Sequence, residues 1–76
     1  MSTRAYILIE TIAGSSRDVA FELSSMSGVT EVDRITGPYD VVAMIETEDL
    51  PAVGDLTTRN IHAIPGVVRT QTCLVI

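Results

Sequence analysis

The chain has 76 residues, of which 46% are hydrophobic, and a net charge of −5. A chain of this length forms one domain, here residues 1–76, and buries only about 60% of the surface that its unfolded form exposes. Binding of nucleic acid depends on neutralising phosphates, which the negative charge opposes, and no apolar run approaches the ~20 residues of a membrane span. The single cysteine, Cys73, excludes an internal disulfide and favours a reducing, cytoplasmic setting.

The first half of the chain predicts a strand followed by a helix. Ala5–Ile12 carries apolar residues on both faces, which is typical of a strand that is covered on both sides. Ser15 or Ser16 can cap a helix that runs to about Met26. Phe21 falls on the polar side of that helix, either as a lone exposed aromatic or as a subunit contact. The buried stripe of the helix is predicted to contain Val19, Ala20, Leu23 and Met26.

The remaining elements follow in the order strand, turn, strand, helix, strand. Val29–Thr36 is a charged strand, which suits a sheet edge. Gly37–Asp40 has the composition of a turn, and Asp40–Thr47 is a strand with apolar residues on both faces. Asp49 can cap a second helix, and Val67–Ile76 forms the last strand. The buried stripe of the second helix is predicted to contain Leu50, Val53, Leu56 or Thr57, Ile61 and Ile64.

Two glycine hinges show that the halves repeat one plan. Met26–Val29 and Ile64–Val67 lie half a chain apart, and in each an apolar residue is followed by Gly and then Val. Glycine commonly ends a helix because it adopts the left-handed conformation without steric cost. Each half therefore predicts strand–helix–strand. Two such right-handed units give a ferredoxin-like α+β fold, βαββαβ, with a four-stranded antiparallel sheet, two helices on one face and the first and third strands central.

The second face of this sheet is predicted to contact another copy of the chain. Helices cover only one face, yet Tyr6, Leu8, the run Val41–Ile45 and the tail Cys73–Ile76 supply apolar side chains to both. Burial of a Leu or Ile side chain contributes ~1.5–3 kcal/mol, so a bare second face would be a large loss. We therefore expect an obligate dimer that packs sheet on sheet.

Candidate catalytic residues are few. The only histidine, His62, projects away from the stripe of the second helix, so we expect a solvated side chain and no nucleophile with an adjacent base. Cys73 lies among apolar strand residues and is expected to be a small core residue. Glu46, Glu48 and Asp49 cluster at a helix start, where capping explains them, rather than at metal-ligand spacing. We expect no catalytic residue, no metal and no cofactor.

The turn before the third strand is the most concentrated polar feature. Gly37 permits a positive φ angle, whereas Pro38 fixes its own. Turn and strand preferences can explain these residues, but a ring, a carboxylate, loop amides and two strand hydroxyls together also suit a small zwitterion, whose ammonium group would meet the carboxylate. The candidate ligand-binding residues are Gly37, Pro38, Tyr39, Asp40, Thr70 and Thr72.

The turn Thr36–Asp40, the hinge Ile64–Val67 and the segment Thr70–Thr72 resemble the ligand-binding half of the Lrp/AsnC transcriptional regulators, known as the RAM domain. The resemblance covers the chain from about Arg4 to Ile76. It implies a dimeric α+β barrel that assembles further into octamers or decamers and binds an amino-acid effector in clefts between dimers. By this resemblance, Gly37, Tyr39 and Asp40 would line the cleft, and Thr70 and Thr72 would face it. Pro38 would occupy a variable position of the family's turn, where it removes one N–H donor.

Full-length members of that family carry a helix-turn-helix before this module. Here the first predicted strand begins close to Met1, so the resemblance implies a stand-alone sensor without a DNA-binding head, which could co-assemble with a full-length Lrp/AsnC regulator. Two alternatives stay open at this point. One is a small monooxygenase-like enzyme of the dimeric α+β-barrel type, supported by fold analogy alone. The other is a purely structural assembly module.

Overall fold

The elements of the computed structural model, which describes residues 2–76, follow the predicted order βαββαβ. They are β1 (Thr3–Thr11), α1 (Ser16–Ser24), β2 (Val29–Arg34), β3 (Val41–Thr47), α2 (Leu50–Asp55) and β4 (Val67–Leu74). A π-helical segment, Leu56–Ile61, continues α2 without a break. Between residues 2 and 76, none of the helices is long and apolar enough to cross a membrane.

All strand pairs of the sheet are antiparallel, in the order β2-β3-β1-β4. The first and third strands are therefore central, as predicted. Ala5 of β1 lies opposite Ile45 of β3 and Leu74 of β4, and a register shift interrupts the β1–β4 ladder between Glu10 and Thr11. The extra residue at this shift, Val68, is on β4.

The hydrophobic core lies between the helices and one face of the sheet. Because successive strand residues point to opposite faces, the core takes every second residue of β1 and β3. The buried apolar residues are Ala5, Ile7, Ile9, Val19, Leu23, Val41, Ala43, Ile45, Val53, Ile61 and Ile64. They include the central members of both predicted helix stripes.

The other side of the sheet, which we call the open face, has no covering element among residues 2–76. Strand register places Tyr6 between Met44 and Cys73, and Leu8 between Val42 and Gln71. Tyr6 is 45% exposed. The open face is thus defined by Tyr6, Leu8, Val42, Met44, Gln71 and Cys73. The prediction that Cys73 is a core residue was wrong: it is exposed on this face, because Thr72 and Leu74 share the face of the core.

The two helices begin differently. Asp49 caps α2 as predicted, since its carboxylate accepts the N–H of Ala52 at 3.0 Å. Ser15 occupies the N-cap position of α1, but its side chain makes no capping hydrogen bond, and its carbonyl accepts the N–H of Val19. Phe21 is 75% exposed on α1, so whether it contacts another subunit stays open.

The second helix departs from its predicted stripe at its start. Leu50 is 56% exposed, because it borders an open groove beside Thr72 and Leu74 instead of packing under the sheet. Further along, Val53, Thr57 and Ile61, which are spaced four residues apart, are all buried. The hydroxyl of Thr57 donates to the carbonyl of Val53 at 2.9 Å, which satisfies a polar group inside the core.

The glycine hinges have the predicted left-handed conformation. Gly28 has a φ angle of +93° and Gly66 one of +99°. A Cβ atom added to Gly66 would lie 2.9 Å from the Cβ of Ser15, closer than side chains approach. Only glycine therefore fits where the second half of the chain packs on the start of α1.

Replacing Gly66 by alanine should lower the free energy of unfolding by about 1–3 kcal/mol, because the left-handed conformation alone costs an L-residue ~1–2 kcal/mol and the contact with Ser15 adds to that. Gly54→Ala is the matched control, since Gly54 is helical with nothing within 4 Å of an added Cβ. It should gain about 0.5–1 kcal/mol. Urea unfolding at one protein concentration measures both, and wild-type stability of Gly66→Ala would contradict the packing described.

Candidate ligand-binding site

The turn between β2 and β3 carries four of the six predicted ligand-binding residues. Gly37 has a φ angle of +117° and open space around it, and Pro38 is exposed. Tyr39 and Asp40 are half-buried. The backbone holds the end of the turn, because the carbonyl of Asp40 accepts the N–H of Ile35 and its N–H donates to the carbonyl of Ile9, both at 2.9 Å.

The ring of Tyr39 is fixed by two residues of β4. Its hydroxyl donates to Oε1 of Gln71 at 2.6 Å, and the guanidinium carbon of Arg69 lies 5.8 Å from the ring centroid. Arg69 also contacts Glu10 of β1, with Nη2 and Oε1 separated by 3.0 Å. An exposed cation–π contact contributes only ~0.5–1 kcal/mol, so these contacts orient the ring more than they stabilise the fold.

Asp40 binds Thr11 of β1 through one carboxylate oxygen. Oδ2 accepts the N–H of Thr11 at 2.8 Å and the hydroxyl of Thr11 at 3.2 Å. Across residues 2–76, no donor reaches the second oxygen, Oδ1. The carboxylate is therefore held in place by the fold while half of its accepting capacity is free.

The two predicted threonines lie on the other face of β4. Thr70 is opposite Ile9 and Thr72 is opposite Ile7, which places both on the helix side of the sheet. The hydroxyl of Thr70 and Nε2 of His62 share a hydrogen bond of 2.8 Å. Within one chain, the structure groups the turn with Arg69 and Gln71 rather than with the threonines. Because β4 is an edge strand, a ligand at that edge could still reach either face, and binding by Thr70 and Thr72 stays a prediction.

Sequence reasoning missed the partners of the turn, namely Glu10, Thr11, Arg69 and Gln71. The available signal was charge: an acid on the first strand and a base on the last would sit opposite each other in the correct register, as Glu10 and Arg69 do. Their contact is the one ion pair that forms between residues 2 and 76. The pair lies beside the turn, since Arg69 also contacts the Tyr39 ring.

The chemistry of the site is that of binding. It presents a carboxylate oxygen, a phenol, an amide and a guanidinium, all hydrogen-bonding groups. His62, exposed and bonded to Thr70, is on the other side of the sheet from Tyr39 and its partners. Over the described range 2–76, no three His, Cys, Asp or Glu side chains converge as they would around a metal ion. The groups of the site can donate hydrogen bonds to a small polar molecule and accept them from it.

Comparison with known proteins finds a matching family and several relatives of this chain. The family described as "Lrp/AsnC ligand binding domain" matches residues 4–76. The HTH-type transcriptional regulator FL11 of Pyrococcus horikoshii is 35% identical over 75 residues, which cover 99% of this chain and 49% of the regulator. The crystal structure of protein PHS023 from Pyrococcus horikoshii superposes with a TM-score of 0.90 at 33% identity, covering 100% of this chain and 90% of that one.

A more distant structure shares the fold. The transcriptional regulator NMB0573 of Neisseria meningitidis, solved as a complex with L-Met, has a TM-score of 0.86 at 20% identity, and the match covers 97% of this chain and 49% of that one. The chain spans about half the length of the curated relatives that it matches. Since the family match extends over nearly every residue and the fold agrees, the chain belongs to the Lrp/AsnC ligand binding domain family.

Proposed function

We propose that this domain is a cytoplasmic, non-enzymatic sensor that binds an amino acid at a boundary between subunits and couples binding to assembly. One observation carries the ligand part of the proposal: the fold holds Asp40 by Oδ2 and leaves Oδ1 without an internal donor. A carboxylate held in this way suits an ammonium group. Family membership and the L-Met bound by the Neisseria regulator support an amino acid as the ligand class.

The ligand would lie against the turn. Its ammonium group would meet Oδ1 of Asp40, and its carboxylate would accept hydrogen bonds from N–H and O–H donors around Gly37 and Tyr39. Pro38 lacks an N–H, so it limits the donors available. Thr70 and Thr72 would contribute hydroxyls from the edge of the sheet, on the ligand's other side.

The open face supports the assembly part of the proposal. Its two apolar pairs, Tyr6 with Met44 and Leu8 with Val42, are contiguous across the central strands. Burial of such side chains against a second copy would contribute ~1.5–3 kcal/mol each. The minimum assembly is a dimer that packs sheet on sheet as an α+β barrel, and dimers would associate further into an octamer or decamer.

Assembly and ligand binding would then be linked. A ligand that binds only the assembled state stabilises it by RT ln(1 + [L]/Kd), which is ~2.7 kcal/mol when the ligand is at a hundredfold excess over Kd. The oligomeric state would thereby report the concentration of the metabolite. Co-assembly with a full-length Lrp/AsnC regulator through the same face would couple the metabolite concentration to transcription, since relatives such as FL11 are transcriptional regulators.

Asp40→Asn should weaken amino-acid binding about tenfold to a hundredfold while the dimer persists. The amide oxygen can still accept from Thr11, whereas the free oxygen becomes an NH₂ donor and the charge that attracts ammonium is lost; a hydrogen bond to a charged group contributes ~1.5–3 kcal/mol. Calorimetry across the twenty L-amino acids measures the change. Asp55→Asn, which removes an exposed acid at the end of α2, is the control, and unchanged affinity in Asp40→Asn would reject this site.

Tyr6→Asp should convert the assembly to monomers, weakening dimerisation about a hundredfold or more, because an unpaired carboxylate would be buried in the centre of the interface. Light scattering coupled to size exclusion gives the mass, and circular dichroism should show that the dissociated monomers unfold. The control is Leu50→Ser, which removes an exposed apolar side chain from the start of α2, in the helix layer, and should leave the dimer intact. An unchanged mass for folded Tyr6→Asp would show that the open face is not the interface.

A further inference from the structure

We propose that Arg69 binds the α-carboxylate of the ligand, so that the site selects free amino acids over amines and amides with the same side chain. This inference rests on the proposed function and adds a residue to it. The turn residues supply acceptors and neutral donors, whereas Arg69 supplies a cation. A zwitterion has one charge of each sign, and a site with Asp40 and Arg69 would match both.

Two consecutive residues of β1 contact the two charged groups. Glu10 contacts Arg69 at 3.0 Å, and Thr11 donates to Asp40 at 2.8 Å. Tyr39 links the two groups, because it precedes Asp40 in the chain and its ring contacts Arg69. A cation and an anion are thus fixed on either side of one short segment of backbone.

Arg69 is well suited to receive a carboxylate. A guanidinium has five N–H donors in a planar fork that matches two carboxylate oxygens. One nitrogen, Nη2, contacts Glu10, and the side chain is 63% exposed, so further donors face outward. The contacts with the Tyr39 ring and with Glu10 restrain the Arg69 side chain, which lowers the entropy lost when a ligand binds.

The carboxylate of Glu10 contacts Arg69 as the carboxylate of the ligand would. Glu10 occupies Arg69 from one side, and its own side chain is 37% exposed. An ion pair at the surface is weak, so an incoming carboxylate can share or replace it. In a chain with a net charge of −5, a local cation of this kind offsets the repulsion that an anion meets.

The test compares an amino acid with its α-amide, which keeps the ammonium and the side chain but lacks the negative charge. L-Methionine and L-methioninamide are the first pair, followed by every other member of the panel of twenty that binds. Calorimetry at about pH 6.5 keeps the ammonium group of both compounds charged, because an α-amino group next to an amide titrates near ~7.7–8.0. The measured quantity is the ratio of the two affinities.

For the wild-type chain we expect the acid to bind at least about tenfold more tightly than the amide. In Arg69→Gln that preference should fall to within about threefold, while the affinity for the amide changes little. Arg59→Gln, which removes an arginine that is exposed on the π-helical segment, should keep the full preference. Glu10→Gln should keep or increase it, because Arg69 then has no competing carboxylate.

Each other outcome overturns the inference in a recognisable way. If the wild-type chain binds acid and amide equally, the proposed function stands and the role of Arg69 is wrong. If Arg69→Gln weakens acid and amide by the same factor, Arg69 only positions Tyr39. If the wild-type chain binds no member of the panel, the proposed function itself fails, and this inference fails with it.

Discussion

A sheet with helices on one side only is the constraint on which the rest of this structure depends. Strand geometry sends alternate residues of β1 and β3 to opposite faces, and both sets are apolar. One set, with Ile7 and Ala43 at its centre, is fully buried under the helices. The other set includes Tyr6 and Leu8 and has no cover from residues 2–76 of its own chain. A chain of this size has few other sources of stability, so we infer that the open face contacts another copy.

The candidate site depends on a second, smaller feature of the same sheet. Thr11 lies beyond Ile9, the last β1 residue that pairs with β3, and it donates its N–H and its hydroxyl to Asp40. The turn is thereby attached to a central strand, and Oδ2 of Asp40 is held while Oδ1 receives no donor from residues 2–76. The site lies beside the open face, so a molecule bound there would be close to a second copy. This proximity is why we link ligand binding to assembly.

Sequence patterns predicted the fold better than the site, for a physical reason. The hinge at Gly66, the element order and the core residues follow from apolar periodicity and from φ angles that only glycine adopts easily. The last strand, in contrast, has polar residues on both faces, so its pattern does not fix which of Arg69 and Thr70 faces the core; a shift of one residue reverses every side chain. The packing of the folded chain determines which of these two residues faces the core, and it also leaves Leu50 and Cys73 exposed.

The central claim is that this chain is not complete as a single copy, and sedimentation equilibrium of the wild-type protein over a wide range of concentration tests it most directly. The account predicts that every folded molecule has at least twice the mass of the 8.2 kDa chain, and that dilution dissociates and unfolds it together. A folded monomer that stays stable on dilution would contradict the account.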